Sequence, residues 1–146
     1  MSNISLKKNQ ELTPIVMKIT QARIDDYAKA SGDFNPIHID QEFATKSHFG
    51  RTIAHGMLIA AVVSDLMSEN FSDSWAESGK LKVRFRAPVY AEEIVTAKGH
   101  IKNVDQYDDG QTKITCDIQV AKKSPDPNGP NEELVITGQA SLVGNL

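Results

Sequence analysis

The stretch Gly56-Met57-Leu58-Ile59-Ala60-Ala61-Val62-Val63-Ser64-Asp65-Leu66-Met67 decides how the rest of the chain must fold. Its apolar residues cover nearly every face of a helix, and a helix of that kind needs a surrounding surface to bury it. A buried strand is the rival reading, but the run is long for a strand and contains two adjacent alanines. The uninterrupted apolar part, Met57 to Val63, is roughly a third of what a bilayer span requires, so no transmembrane helix is expected.

Downstream, the period changes to two. Leu81, Val83, Phe85 and Ala87 alternate with Lys80, Lys82, Arg84 and Arg86, and a further strand is expected over about Ile94 to Val104. Ile114, Cys116, Ile118 and Val120 form one strand face, and Leu134, Ile136, Ala140 and Leu142 another. Asp108-Asp109-Gly110 reads as a hairpin turn, and Ser124 to Asn131 as a longer one.

Upstream, Ile15, Met17 and Ile19 suggest a first short strand. Thr20 offers an N-cap, Ile24, Tyr27 and Ala28 a helical apolar face, Asp25 and Lys29 an i,i+4 pair, and Gly32 a left-handed stop. Ser31 to Ile39 reads as a turn or loop, followed by a short helix capped by Asp40 with Phe43 and Ala44 as its apolar residues. One-sided sheet alternation leaves a face to cover. The economical solution is α+β: an antiparallel five-stranded sheet wrapped around the long buried helix, in one domain spanning 1–146. The sheet's two edges make pairing with a second copy an expectation.

The 146 residues carry 16 Lys and Arg against 19 Asp and Glu, a net charge of −3, which argues against a broad nucleic-acid surface. The start, Met1 to Lys8, lacks an apolar stretch of signal-peptide length, and a soluble, cytoplasmic chain is expected. The single cysteine, Cys116, can form neither an internal disulfide nor a zinc site alone. The chemistry must therefore come from histidines, carboxylates, hydroxyls and backbone groups.

Two local features could supply it. In Gly32-Asp33-Phe34-Asn35-Pro36-Ile37-His38, a carboxylate and an imidazole flank a proline-stiffened turn. Sharing one water, they could deprotonate it and return a proton to an adjacent carbon. The same spacing also fits an Asx turn, with Asp33 and Asn35 bonding local amides and His38 exposed. In His55-Gly56, helix-start N–H groups could bind an oxygen gaining negative charge, or glycine could simply begin the helix.

Tyr27-Ala-Lys-Ala-Ser-Gly-Asp-Phe-Asn-Pro-Ile-His38, with Ala44 six residues on, resembles the hydratase-2 motif of the MaoC-like family, which includes (R)-specific enoyl-CoA hydratases. Arg51-Thr-Ile-Ala-His-Gly-Met-Leu58 and Val83-Arg-Phe-Arg-Ala-Pro-Val89 resemble that family in the same order, and the likeness runs from about residue 14 to 143. It implies a hot-dog fold, usually dimeric, acting on coenzyme A or acyl-carrier-protein thioesters with no metal and no further cofactor. By resemblance, Asp33 and His38 activate water that adds across a trans-2-enoyl thioester to give the (R)-3-hydroxyacyl product. Asn35 supports the pair, and the Gly56 amide receives the thioester carbonyl. Ser64 and Met67 match acyl-pocket positions, although plain core packing also accounts for Met67.

The sequence departs from the family at Ala30, where a larger aliphatic or a glycine is more usual, and at Ala91-Glu92-Glu93, which replaces a Gly-Asp turn. His48 is expected in solvent, His55 in a structural role at the helix entrance, and His100 on a strand without a partner motif. Arg84 and Arg86 read as a solvated strand face that could also meet phosphates. Dehydration of (3R)-hydroxyacyl carrier-protein thioesters, thioester hydrolysis and non-catalytic acyl-thioester binding within a hetero-oligomer are the rival functions.

Overall fold

The computed structural model describes residues 6–124 and 126–146. The reading of the extreme N-terminus rests in part on residues outside that range, and the turn expected over 124–131 includes one such residue. Ile15–Lys18 forms β1, and Thr20 accepts the Arg23 N–H at 3.1 Å to start α1 (Gln21–Ser31). Gly32, at φ 78°, ends α1 with its N–H on the Ala28 carbonyl. Ile24 and Ala28 face the core. The anticipated Asp25–Lys29 pair does not form: Asp25 Oδ1 accepts the Gln21 side-chain amide at 2.9 Å instead.

The segment expected to be all loop contains a helical turn, α2 (Pro36–Ile39), with proline in the first turn, where its missing N–H is harmless. Asp40 then caps α3 (Gln41–Thr45), accepting the Phe43 N–H at 3.1 Å. Of that helix's apolar residues only Ala44 is buried; Phe43 stands 49% exposed.

The long helix, α4, runs Gly56–Phe71, a turn beyond the expected end. Ile59, Ala60, Val62, Val63, Leu66, Met67 and Phe71 are buried on it, while Met57 remains 62% exposed. Within one chain the helix is therefore covered on one side rather than all round. A short α5 (Asp73–Ser78) follows, which the sequence reading lacks; Trp75 anchors it, donating its indole N–H to Ser64 Oγ at 2.9 Å.

The remaining strands are β2 (Lys80–Phe85), β3 (Ile94–Gln106), β4 (Thr112–Lys123) and β5 (Glu132–Gly144). They join β1 in one antiparallel sheet of order β1-β3-β4-β5-β2, as the α+β expectation requires. β1 and β2 are its edges, and everything between them in sequence crosses from one edge to the other. Gly110, at φ 83°, closes the β3–β4 hairpin.

Val95, Ala97, Ile101, Ile114, Cys116, Ile118, Val120, Ile136 and Ala140 are buried in the same core as α4. Each fully buried aliphatic of this kind contributes roughly 1.5–3 kcal/mol relative to exposure. The expected β5 face fails at one end. A register shift between Val120 and Ala121 pairs those residues with Ile136 and Leu134, so Val135 is the residue buried and Leu134 is 40% exposed.

Candidate active site

Asp33, His38 and Gly56 come from three pieces of the crossover between the sheet edges: the α1–α2 loop, α2 and the first residue of α4. The loop is built from consecutive side-chain turns. Asp33 Oδ1 accepts the Asn35 N–H at 3.2 Å, and Asn35 Oδ1 accepts the Ile37 N–H at 3.1 Å as the N-cap of α2. Both Asx contacts of the bland reading therefore exist, yet they do not exclude the chemical one. With Oδ1 engaged, Asp33 Oδ2 lies 3.9 Å from His38 Nε2, and the His38 side chain is only 12% exposed against 52% for Asp33.

His38 Nδ1 lies 2.8 Å from the Ile53 carbonyl oxygen. A carbonyl only accepts, so Nδ1 carries the hydrogen, and in the neutral ring the lone pair sits on Nε2, towards Asp33. The helix bearing His38 is tied down further: the Ile53 N–H donates to the Ile37 carbonyl, and the Gln21 side-chain amide donates to the His38 carbonyl at 2.8 Å. Gln21 Oε1 in turn accepts from the hydroxyl of fully buried Thr52 at 2.7 Å. Gln21, Thr52 and the Ile53 carbonyl are positioning groups that spacing arguments did not single out. Thr52 and Ile53 do lie in the block beginning at Arg51, but a backbone acceptor leaves no side-chain signature.

Gly56 opens a 16-residue helix, so its N–H has no intrahelical acceptor. It lines a cleft of about 340 Å³ with Ala54, Ile59, Phe85, Arg86 and Pro88. A Cβ at Gly56 would lie 3.1 Å from Phe85 Cε1, so the glycine gives a ligand close access to the backbone beside that ring.

Of the other expected site residues, Asn35 lies in the same turn, and Ser64 and Met67 lie further along α4 from Gly56. Asn35 holds the turn. Ser64, one face along α4, accepts the Trp75 hydrogen bond, and Met67 is fully buried in the core. His48 is exposed, as expected, with its ring tilted against that of Phe49. His100 does have a neighbour: its strand partner Asp117, with Oδ2 at 3.6 Å from Nε2, both side chains 40% exposed. Arg86 donates to Thr137 Oγ1. Burial, with the Asp117 charge adding to it, pushes the Cys116 thiol up to about 12, which makes it inert. Glu92 closes the Ala91-Glu92-Glu93 turn at φ 75°, a conformation that glycine adopts more easily.

Asp33, His38 and His55 place ligand-type atoms within 4.8 Å of one another. His55 Nε2 is engaged with the Asp33 carbonyl, and His38 Nε2 and the Asp33 carboxylate face each other. That donor set suits proton transfer. No helix among the described residues is long and apolar enough to cross a membrane.

Comparison with known proteins places the chain in a family. Residues 5–123 match the MaoC like domain family. The chain is 28% identical over 130 residues to the 3-hydroxybutyryl-CoA dehydratase of Methylorubrum extorquens, covering 88% of this chain and 76% of that protein. It is 33% identical over 106 residues to 3-hydroxyacyl-thioester dehydratase Z of Mycobacterium tuberculosis, covering 70% of each. The (R)-hydratase from A. caviae involved in PHA biosynthesis superposes with a TM-score of 0.77 at 26% identity, over 95% of this chain and 96% of that one. With this sheet order, this buried helix and that match over most of its length, the chain belongs to the MaoC-like domain family, a hot-dog fold whose relatives named above are hydratases and dehydratases.

Proposed function

We propose that the protein catalyses reversible, (R)-specific hydration of trans-2-enoyl-CoA thioesters to (R)-3-hydroxyacyl-CoA, as a cytoplasmic homodimer. The observation that carries this reading is the 3.9 Å separation of Asp33 Oδ2 and His38 Nε2, with the imidazole's other hydrogen fixed on the Ile53 carbonyl. That gap is too wide for a direct hydrogen bond but lets one water sit about 2.8 Å from both groups. The pair takes a proton from this water as its oxygen bonds to C3 of the enoyl group. The electrons of the double bond move onto the thioester oxygen, where the Gly56 N–H stabilises the charge. The pair then returns the proton to C2. The net change is addition of water, with no change of overall oxidation state, so the reading calls for no redox cofactor.

The stereochemistry rests on similarity to the A. caviae (R)-hydratase. Asn35 holds the turn that presents the pair, while Ser64 and Met67, about 12 and 16 Å along α4 from Gly56, lie on the proposed path of the acyl chain. The homodimer reading is supported by the unpaired edge of β2 and by Phe85 and Met57, 50% and 62% exposed near the Gly56 cleft.

The test is a hydration assay over a panel of enoyl-CoA chain lengths with chiral product analysis, repeated with acyl-carrier-protein thioesters. The expected result is (R)-3-hydroxyacyl-CoA. Faster turnover of carrier-protein substrates would move the protein to the dehydratase of fatty acid synthesis. Free thiol release would mean a thioesterase, and binding without turnover a non-catalytic subunit. Sedimentation at micromolar concentration tests the dimer.

A further inference from the structure

Building on the hydro-lyase reading, we propose that His55 is a positioning residue that holds both members of the Asp33–His38 pair. Its side chain makes no cap for α4, although His55 occupies the N-cap position, so the helix start does not explain an imidazole there. The residue is 3% exposed, and its ring lies against the His38 ring with centroids 3.8 Å apart and planes 26° from parallel. Tyr27 meets the same ring edge-on at 4.8 Å.

His55 Nε2 is 3.0 Å from the Asp33 carbonyl oxygen, so this nitrogen carries the hydrogen and donates it. Its Nδ1 is then a buried acceptor with no hydrogen-bond partner among the described residues. A phenyl ring of similar shape would fill the same space, so packing alone does not call for an imidazole. What the imidazole adds is the hydrogen bond to the backbone of the very residue whose carboxylate faces His38. One ring fixes the Asp33 main chain through its edge and the plane of His38 through its face, and the next residue, Gly56, presents the helix-start amide.

Two variants separate the parts. His55→Phe keeps an aromatic face and loses the donor; His55→Gln keeps an amide donor and loses the stack. Each is expected to lower kcat about 100-fold, the effect of displacing a catalytic group by about 1 Å, with KM within about twofold of wild type. Because His55 acts through Asp33, His55→Phe added to Asp33→Asn is expected to reduce kcat no further than Asp33→Asn alone. Imidazole ¹⁵N NMR gives a readout independent of turnover. Wild type is expected to show His55 protonated at Nε2 and His38 at Nδ1, and His55→Gln, which loses the stack, to let the His38 ring leave the Ile53 carbonyl and mix its tautomers.

Wild-type kcat in His55→Phe, or an unchanged His38 tautomer in His55→Gln, overturns the proposal. If the wild type turns over no enoyl thioester, the hydro-lyase reading fails by itself, and the NMR arm still decides whether His55 orients the pair. If His55→Phe does not fold, His55→Gln and the wild-type tautomers decide it.

Discussion

The ammonium of Lys122 lies 2.9 Å from the Glu93 carboxylate and 2.7 Å from the Pro88 carbonyl, with only 2% of its side chain exposed. This pair is the far anchor of the candidate site's scaffold. Glu93 also accepts the Tyr90 N–H, and the turn it stabilises exchanges backbone hydrogen bonds with the segment before α4: Ala54 N–H to the Val89 carbonyl and Ala91 N–H to the Thr52 carbonyl. That segment supplies the Ile53 carbonyl that orients His38.

Lys122→Met is therefore expected to destabilise the fold by about 1–3 kcal/mol, because it leaves the largely buried Glu93 carboxylate with only the Tyr90 N–H and Arg51, 3.9 Å away, as partners. Lys122→Met combined with Glu93→Leu is expected to recover most of that loss. Urea unfolding of the two variants checks both. Equal destabilisation by the single and double variants would show that the ion pair is not what holds the turn.

Asp33→Asn and His38→Gln are each expected to reduce kcat by about a hundred- to ten-thousandfold, the range for a positioned acid–base group. Their melting temperatures are expected to stay near wild type, since neither side chain belongs to the core. Steady-state kinetics with thermal denaturation separates the two effects.

Gly56→Pro tests the proposed oxyanion donor directly. Proline is favoured at the first helical position, and His55 already has the extended backbone, φ −60° and ψ 136°, that proline requires of the residue before it. The variant should fold while losing the N–H, with kcat down about 100- to 1000-fold. Gly56→Ala adds the same Cβ against exposed Phe85 but keeps the N–H, and is expected to stay much closer to wild type.

Cys116 makes a pH prediction. Its pKa is raised from 9.0 to about 12 by burial, with Asp117 adding to the effect. Between those values the unfolded chain releases the thiol proton and the native chain retains it, so stability is intact below about pH 9 and declines as pH rises towards 12. Unfolding midpoints across pH 8–11 are expected to fall less steeply in Cys116→Ala than in wild type. Native protein should also resist thiol reagents.

The sequence made the large apolar surfaces legible and left the short polar contacts hidden. α4 and the long strands announce themselves because one hydrophobic period continues over many residues. α5 does not, since a single buried side chain, Trp75, holds it. The one-residue shift that buries Val135 in place of Leu134 depends on the neighbouring strand, as does the pairing of His100 with Asp117. At the site, Asp33 and His38 stand five residues apart and could be read together. Their supports could not, because the Ile53 and Asp33 carbonyls act through the backbone and Gln21 comes from another helix. His55 looked structural for a good reason, being buried at a helix start; only its contacts separate filling space from orienting a pair.

The route of the chain from β1 to β2 has a consequence for how such an enzyme can diversify. Asp33, His38, Ile53, His55 and Gly56 all fall on the single excursion between Lys18 and Lys80, and none is on a strand. The proposed reacting groups thus form a cassette that joins the sheet at two ends, packs on it through α4 and is hydrogen-bonded to the Pro88–Glu93 turn. Substitutions on the outward faces of β3, β4 and β5 can retune surface and assembly without touching the proposed Asp33–His38 pair. Conversely, grafting the excursion together with that turn onto a sister sheet is the smallest exchange that would carry the chemistry with it.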